Sequence, residues 1–436
     1  MLPRKDIDLR SLTISDNYRR FGLSSNPFPV TGIVAEGPDF APLDEVVTKE
    51  IISFIASTYT QQFFAGLLVV GDYGFGKTHI FKHLQRRINE SLLMRGDERA
   101  CAIYIMNPKS SAEEFMLSIL ESFGMHRFLV MVWRLVTEKL SNDLRTKGEK
   151  FADSFFPRAV QLSFFDSESP SSPLKEDLLS NPMKFIDAVY ERGVDLRKLE
   201  RYAEEVFRPI FKVPEIARNL SALSQYHGAE AFKNWAAALN YRAFSKALKK
   251  EIGEPEFFHA ILTVFRRNGY RHVYILVDEF EDIFLVLGKR ERVQYLSRLR
   301  DIIEHNLNYF SMALCVKHSE WQNIVGDSPA FAERFSRRVE LKSLTVENMA
   351  SLIADYLGKV AMEGERDINN PYHPFTPDAI KEIQRKSLAV PRAALEICFV
   401  LLEHAAKHDV NIIDSEMVRQ VQSIRESLLI EKRPII

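Results

Sequence analysis

Apolar residues in this chain fall into short unbroken runs, separated by longer stretches in which they recur every third or fourth position. Gly66–Val70 (GLLVV), Ala100–Met106, Val273–Val277 and Phe310–Val316 have the length and continuity of strands. A strand buried on both faces of a parallel sheet reads this way. Thr78–Asn89, Ser111–Phe123 and Pro255–Gly269 carry helical spacing, the last with proline near its start and glycine past its end. Arg338–Leu341 is a further short strand. From Thr345 onward the pattern is helical throughout, and Thr376-Pro377-Asp378 reads as an N-cap followed by proline at the first helical position. Strand and helix in alternation predict an α/β fold around a parallel sheet.

Residues 125–270 break that rhythm. They are rich in helical patterns, with Leu196, Leu199, Tyr202 and Val206 on one face, and they hold an acidic Ser/Pro stretch at 166–173 (DSESPSSP). At the other end, Phe21-Gly22-Leu23-Ser24-Ser25-Asn26-Pro27-Phe28-Pro29 favours an irregular arm, because two prolines and a glycine punctuate it. The expected organisation is an arm (1–30), a core in two pieces (31–124 and 271–343), a helical insertion (125–270) and a helical tail (344–436). There is no internal repeat and no long low-complexity tract.

The most specific chemistry lies between the first strand and its helix. Gly71-Asp72-Tyr73-Gly74-Phe75-Gly76-Lys77-Thr78 fits the phosphate-cradling pattern G-x-x-x-x-G-K-[ST], with His79 continuing into the helix. Glycines let backbone N–H groups turn inward around a triphosphate, and the following helix N-terminus adds positive potential. Lys77 is expected to reach the β- and γ-phosphates of ATP, and the Thr78 hydroxyl to ligate Mg²⁺. A second strand, Val273–Val277, runs into Asp278 and Glu279. Ligands of parallel sheets sit at the carboxyl ends of strands. Asp278 is therefore expected to hold the Mg²⁺ shell, and Glu279 to orient or deprotonate the attacking water.

Composition narrows the setting. The chain has 436 residues, 46% hydrophobic and 27% charged, enough for two or three domains. Lys and Arg number 58 against 59 acidic residues, so any nucleic-acid contact has to come from a local patch. Clusters such as Lys246, Lys249 and Lys250, or Arg266 and Arg267, fit solvated helix faces as well as phosphate contacts. Phe232, Trp235, Leu239 and Phe244 read as helix core. Cys101, Cys315 and Cys398 are far apart in apolar stretches, which suits buried thiols in a reducing compartment. His404 and His408 have helical zinc-ligand spacing but lack the H-E-x-x-H pattern, and read as a solvated face. The start, MLPRKDIDLR, has no apolar h-region, and no run approaches the roughly 20 apolar residues of a membrane helix. A cytoplasmic protein with no membrane contact is expected.

P-loop, DE strand, polar strand end, arginine-rich segment and helical tail together resemble an AAA+ P-loop ATPase. The likeness covers about residues 15–124 and 268–425. The NPF-containing arm, AIYIMNPKSSAEEFMLSILESFG and the tail LTVENMASLIADYL…FTPDAIKEI…VPRAALEICFVLLEHAA are similar to the branch of archaeal origin-recognition ATPases and transposition and secretion helpers. RRNGYRHVYILVDEFEDI also looks like ATPases of phage-defence islands. The resemblance implies that the tail is a lid, that Arg334 is an arginine finger reaching a neighbouring subunit's γ-phosphate in an ATP-driven homo-oligomer, with Arg337 and Arg338 as rivals, and that Arg392 is the γ-phosphate sensor of the lid. An arginine in a first helical turn is otherwise disfavoured, since that turn prefers acids. Sensor 1 should be polar at the end of Phe310–Val316. Relatives usually offer Asn, Thr or Ser, whereas this chain offers Lys317, then His318 or Ser319. The implied function is an ATP-hydrolysing switch or motor acting on DNA or a DNA-bound complex. A signalling or defence ATPase whose insertion binds a partner protein, and a protein-remodelling ATPase, use the same core. The chain ends at Ile436, soon after the lid, so a winged-helix DNA reader is not expected.

Overall fold

The computed structural model describes residues 16–29, 45–91, 99–147, 196–211, 214–222, 254–362 and 370–423. In order, it contains α1 (Glu45–Gln61), β1 (Gly66–Val70), α2 (Lys77–Ser91), β2 (Arg99–Ile105), α3 (Ala112–Phe123), α4 (Met125–Lys147), α5 (Leu196–Phe207), α6 (Glu254–Arg267), β3 (Tyr270–Val277), α7 (Lys289–His305), β4 (Phe310–Val316), α8 (His318–Asp327), β5 (Arg337–Glu340), α9 (Val346–Lys359), α10 (Pro377–Lys386) and α11 (Pro391–Lys407), with shorter helical turns between. The acidic stretch at 166–173, the run bearing Phe232, Trp235, Leu239 and Phe244, and Lys246, Lys249 and Lys250 lie outside the described residues.

The fold is α/β. The five strands form one sheet in the order β2-β3-β4-β1-β5. β2, β3 and β4 run parallel, with Ile105 opposite Val277 and Val277 opposite Leu314. Every residue of β1 and β4 is buried, which is what their continuous apolar sequence calls for. The chain divides into two compact units, one of Met1–Ile52, Val69–His83 and Val339–Ile436, the other of Ser53–Leu68 and Leu84–Arg338.

The second unit has an aromatic core. Phe123, Phe265 and Tyr270 meet edge to face, and Phe258 packs on Phe310. The Ser111 hydroxyl caps α3 by accepting from the Glu114 N–H, and Gly124 ends it at φ +102°. α4 follows at once, at 87° to α3. Its buried face runs through Phe128, Val132, Trp133 and Val136. α5 differs from the sequence reading. Leu199, Ala203 and Phe207 are buried in line at i, i+4 and i+8, whereas Val206 is half-buried. Tyr202 is buried as expected because its hydroxyl donates to Asp143 on α4 at 2.9 Å.

The first unit packs α9, α10 and α11 around Met349, Ile353, Ile380, Leu401 and Leu402. Thr376 caps α10 by accepting from the Ala379 N–H, with Pro377 in the first turn. The arm lies on these helices. Phe28 stacks on Tyr356 at 5.8 Å and meets Phe375 edge-on at 5.9 Å. Tyr18 donates to Glu403, Asn26 donates to the same carboxylate at 3.1 Å, and Arg20 pairs with Asp409 at 2.7 Å. The arm is irregular, as its prolines require, and still fixed in place. Among the described residues no single helix is long and apolar enough to cross a membrane. The three cysteines are buried and unbridged, and burial pushes the Cys101 thiol up to about 12.

Candidate nucleotide site

β1 delivers the chain to Gly71, and α2 opens at Lys77. Between them the loop turns through two glycines with positive φ. Gly74 has φ +84°, and a Cβ there would sit 2.9 Å from Val390 and 3.1 Å from Arg392. Gly76 has φ +91° and open space where its Cβ would be. The first helical bond runs from the Ile80 N–H to the Gly76 carbonyl at 3.0 Å, so the N–H groups of the first turn lack helical acceptors. The Lys77 ammonium folds back onto the loop, donating to the carbonyls of Gly71 at 2.7 Å and Asp72 at 3.2 Å. Asp72, Tyr73 and Thr78 are exposed; Phe75 and His79 are half-buried.

The same unit brings Arg392 to this loop. Its backbone N–H donates to the Gly74 carbonyl at 3.3 Å. Its guanidinium lies 4.6 Å from the Tyr73 ring centroid and donates to the Tyr73 hydroxyl. Glu396, one turn further along α11, is 3.5 Å away. A cation in the first turn opposes the helix dipole, and these contacts offset that. Leu388 and Ala389, just before α11, both have positive φ (52° and 56°) although neither is glycine. Such backbone strain concentrates at ligand-binding segments.

In the second unit, Asp278 follows the last residue of β3 and is 1% exposed. One carboxylate oxygen accepts from the Tyr104 hydroxyl at 2.9 Å, the other from the Glu279 N–H at 3.0 Å. Burial, then the charge of Asp278, pushes the Tyr104 phenol far above its ordinary value, so it stays a donor. Glu279 is exposed and takes φ +49°, a left-handed backbone for a residue with a long side chain. Glu281 is buried, with the Lys317 ammonium 3.8 Å away.

Most of the candidate sensor and finger residues have a side-chain partner. His318 opens α8, and its Nδ1 lies 2.9 Å from the Arg338 guanidinium. A guanidinium only donates, so Nδ1 is the acceptor in this pair. Ser319 is exposed. Arg334 is half-buried and paired with Glu304 of α7 at 2.6 Å. Arg337 reaches Ser57 of α1 at 3.0 Å. The His404 and His408 rings lie 4.3 Å apart on α11. Arg266 is exposed, 3.6 Å from the Tyr309 ring centroid, and Arg267 is exposed beside it.

Three partners escaped the sequence reading: Tyr104 on Asp278, Glu304 on Arg334 and Tyr73 under Arg392. Tyr104 pairs with Leu276 in the parallel register, two residues before Asp278, which puts it on the same face of the sheet as that carboxylate.

The fold is similar to that of archaeal origin-recognition proteins. The ORC2 protein of Aeropyrum pernix, in ADPNP–ADP complexes, matches with a TM-score of 0.48 at 10% identity, over 93% of this chain and 74% of that one. The ORC1 protein of the same organism, in complex with DNA, matches at 0.44 and 12%, over 93% and 72%. Cdc6p of Pyrobaculum aerophilum matches at 0.42 and 10%, over 90% and 70%. No family model matches the sequence, and no curated protein does.

Proposed function

We propose that this chain binds ATP with Mg²⁺ on the Gly71–Thr78 loop and hydrolyses it, as an AAA+-type switch or motor acting on DNA or a DNA-bound complex. The loop carries the nucleotide part of this reading. Two positive-φ glycines, open space at Gly76, an ammonium at the loop and a helix N-terminus fit a triphosphate. The carboxylate of Asp278 and the hydroxyl of Thr78 are hard oxygen donors of the kind Mg²⁺ accepts alongside phosphate. When bound, the metal supplies charge neutralisation across the β- and γ-phosphates.

The chain's own residues then divide the work. Lys77 exchanges the carbonyls of Gly71 and Asp72 for phosphate oxygens. Glu279 orients the attacking water and takes its proton. Arg392 leaves Tyr73 for the γ-phosphate. His318 or Ser319 holds the polar position after β4. Arg334, or one of its neighbours Arg337 and Arg338, completes the site of an adjoining copy. Residues 31–124 and 271–343 form the ATPase core, 125–270 a helical insertion and 344–436 the lid; in the alternative reading, a signalling or defence ATPase, the insertion binds a partner protein. The coupling to DNA is supported by the motif resemblance alone.

Calorimetry with ATP and Mg²⁺ tests the nucleotide part. Wild type binds, and Lys77→Ala loses about 100-fold in affinity, the worth of its charge-assisted bonds. Equal affinities would refute it. DNA binding titrated with salt tests the coupling. A log–log slope of several units supports phosphate contact, and no binding at low salt redirects the search to protein partners.

A further inference from the structure

The Asp278 carboxylate is held from two sides by groups of different kind. The Glu279 N–H, 3.0 Å from one oxygen, is backbone and comes with the strand-to-turn transition. The Tyr104 hydroxyl, 2.9 Å from the other, is a side chain reaching across from β2. Tyr104 is partly buried and its strand is otherwise almost wholly enclosed. A buried phenol needs a hydrogen-bond partner, and a buried carboxylate needs donors for both oxygens. Each satisfies the other. The β2–β3 register is unbroken from Ala100–His272 to Ile105–Val277, so the phenol is fixed by backbone as well as by packing.

From this we infer that Tyr104 is a positioning residue for the divalent-cation function of Asp278, an inference that rests on the ATP–Mg²⁺ reading above. The phenol fixes the rotation of the carboxylate about its Cβ–Cγ bond. The hydroxyl does so with a single hydrogen bond, 2.9 Å long, to one carboxylate oxygen. Phenylalanine at 104 keeps the ring and removes only the donor. The carboxylate can then rotate, and its ordering has to be supplied when the cation arrives. Partners that orient ligating carboxylates typically change metal affinity by about 10-fold or more when removed.

The test reads binding rather than turnover. Affinity for a fluorescent ATP analogue is measured by anisotropy across a Mg²⁺ titration and again in chelator. Wild type, Tyr104→Phe, Asp278→Asn and the double variant are compared on the full chain. The expected result is that Tyr104→Phe raises the Mg²⁺ concentration for half-maximal binding by about 10-fold. Affinity in chelator stays at the wild-type value. In the Asp278→Asn background, Tyr104→Phe adds nothing further, because the two act on one element. A Mg²⁺ dependence unchanged in Tyr104→Phe, with Asp278→Asn strongly affected, overturns the inference and leaves the nucleotide reading intact. Equal additional effects of Tyr104→Phe with and without Asp278 also overturn it, since the residue then acts elsewhere. If wild type itself shows no Mg²⁺-dependent nucleotide binding, the nucleotide reading fails and this inference with it.

Discussion

The loop after β1 and the turn after β3 handle charge in opposite ways. On the loop, the cations rest on weak partners. Lys77 sits on two backbone carbonyls, and Arg392 lies against a tyrosine ring and a carboxylate one turn away. At the turn, Asp278 is buried and both its oxygens are already bonded. The difference follows from what each charge costs. A half-buried ammonium or guanidinium still within reach of water trades one acceptor for another at little expense, since water and neutral oxygens hold it almost equally well. A carboxylate taken out of water needs its donors beforehand, or it gains a proton and loses its charge. The cations are therefore exchangeable and the buried anion is fixed.

Four experiments break or sharpen that contrast. The largest effect is expected at Arg334, a cation paired at 2.6 Å with the carboxylate of Glu304. Arg334→Ala lowers ATP turnover about 1,000-fold if the guanidinium serves a neighbour's phosphate. Mixing Arg334→Ala with Lys77→Ala subunits then restores turnover, because one interface regains an intact loop and an intact arginine. A concentration-independent monomer with full activity, seen by light scattering, would show that Arg334 acts within its own subunit or not at all.

Glu279→Gln comes next. It preserves shape and removes the base, so hydrolysis falls by roughly 100-fold or more while nucleotide affinity holds. A wild-type rate in that variant would take the catalytic role away from Glu279.

His272 tests the fixed side at a distance from chemistry. It is fully buried in β3, with Nε2 2.9 Å from the Ser311 hydroxyl, and burial lowers its pKa to about 3. The unfolded chain takes a proton near pH 6.5 and the folded one does not. Stability is therefore complete above that pH and declines as pH falls toward 3, by up to about 1.4 kcal/mol per unit. Trp133 and Trp321 lie in the same unit, so urea unfolding followed by tryptophan emission at pH 7 and pH 5 reads the loss. His272→Gln should flatten the pH dependence; an equally steep slope in the variant would assign it to other groups.

The smallest effects separate the two loop glycines. Gly74→Ala meets both an unfavourable φ and the side chains of Val390 and Arg392, for about 2 kcal/mol. Gly76→Ala meets only the unfavourable φ, for about 1 kcal/mol. Equal losses in urea denaturation would mean that the Val390 and Arg392 contacts yield freely.

What the sequence revealed follows the same division. Phe310–Val316 is a strand to the residue, and Thr376 caps α10 as its spacing requires, because continuous apolar runs and cap chemistry are local. The loop glycines were legible because their backbone need is written into residue type. Tyr104, Glu304 and Tyr73 were not, since nothing local distinguishes a tyrosine that bonds a carboxylate from one that fills space. The face of α5 was off for a related reason. Val206 and Phe207 are adjacent, both are apolar, and only packing decides which turns inward.

The arm that lies on α11 sets an order on how this chain is made. Tyr18 and Asn26 are synthesised 385 and 377 residues before their shared partner Glu403. Every piece of the unit drawn from Ser53–Leu68 and Leu84–Arg338 has been translated before α9 begins. That unit can assemble during synthesis, as domains generally do. The Gly71–Thr78 loop belongs to the other unit, whose helices α9 to α11 are made after it. The loop's support from Val390 and Arg392 therefore forms only after those residues have been made, and a ribosome-stalled chain ending before Val390 would carry the loop without it.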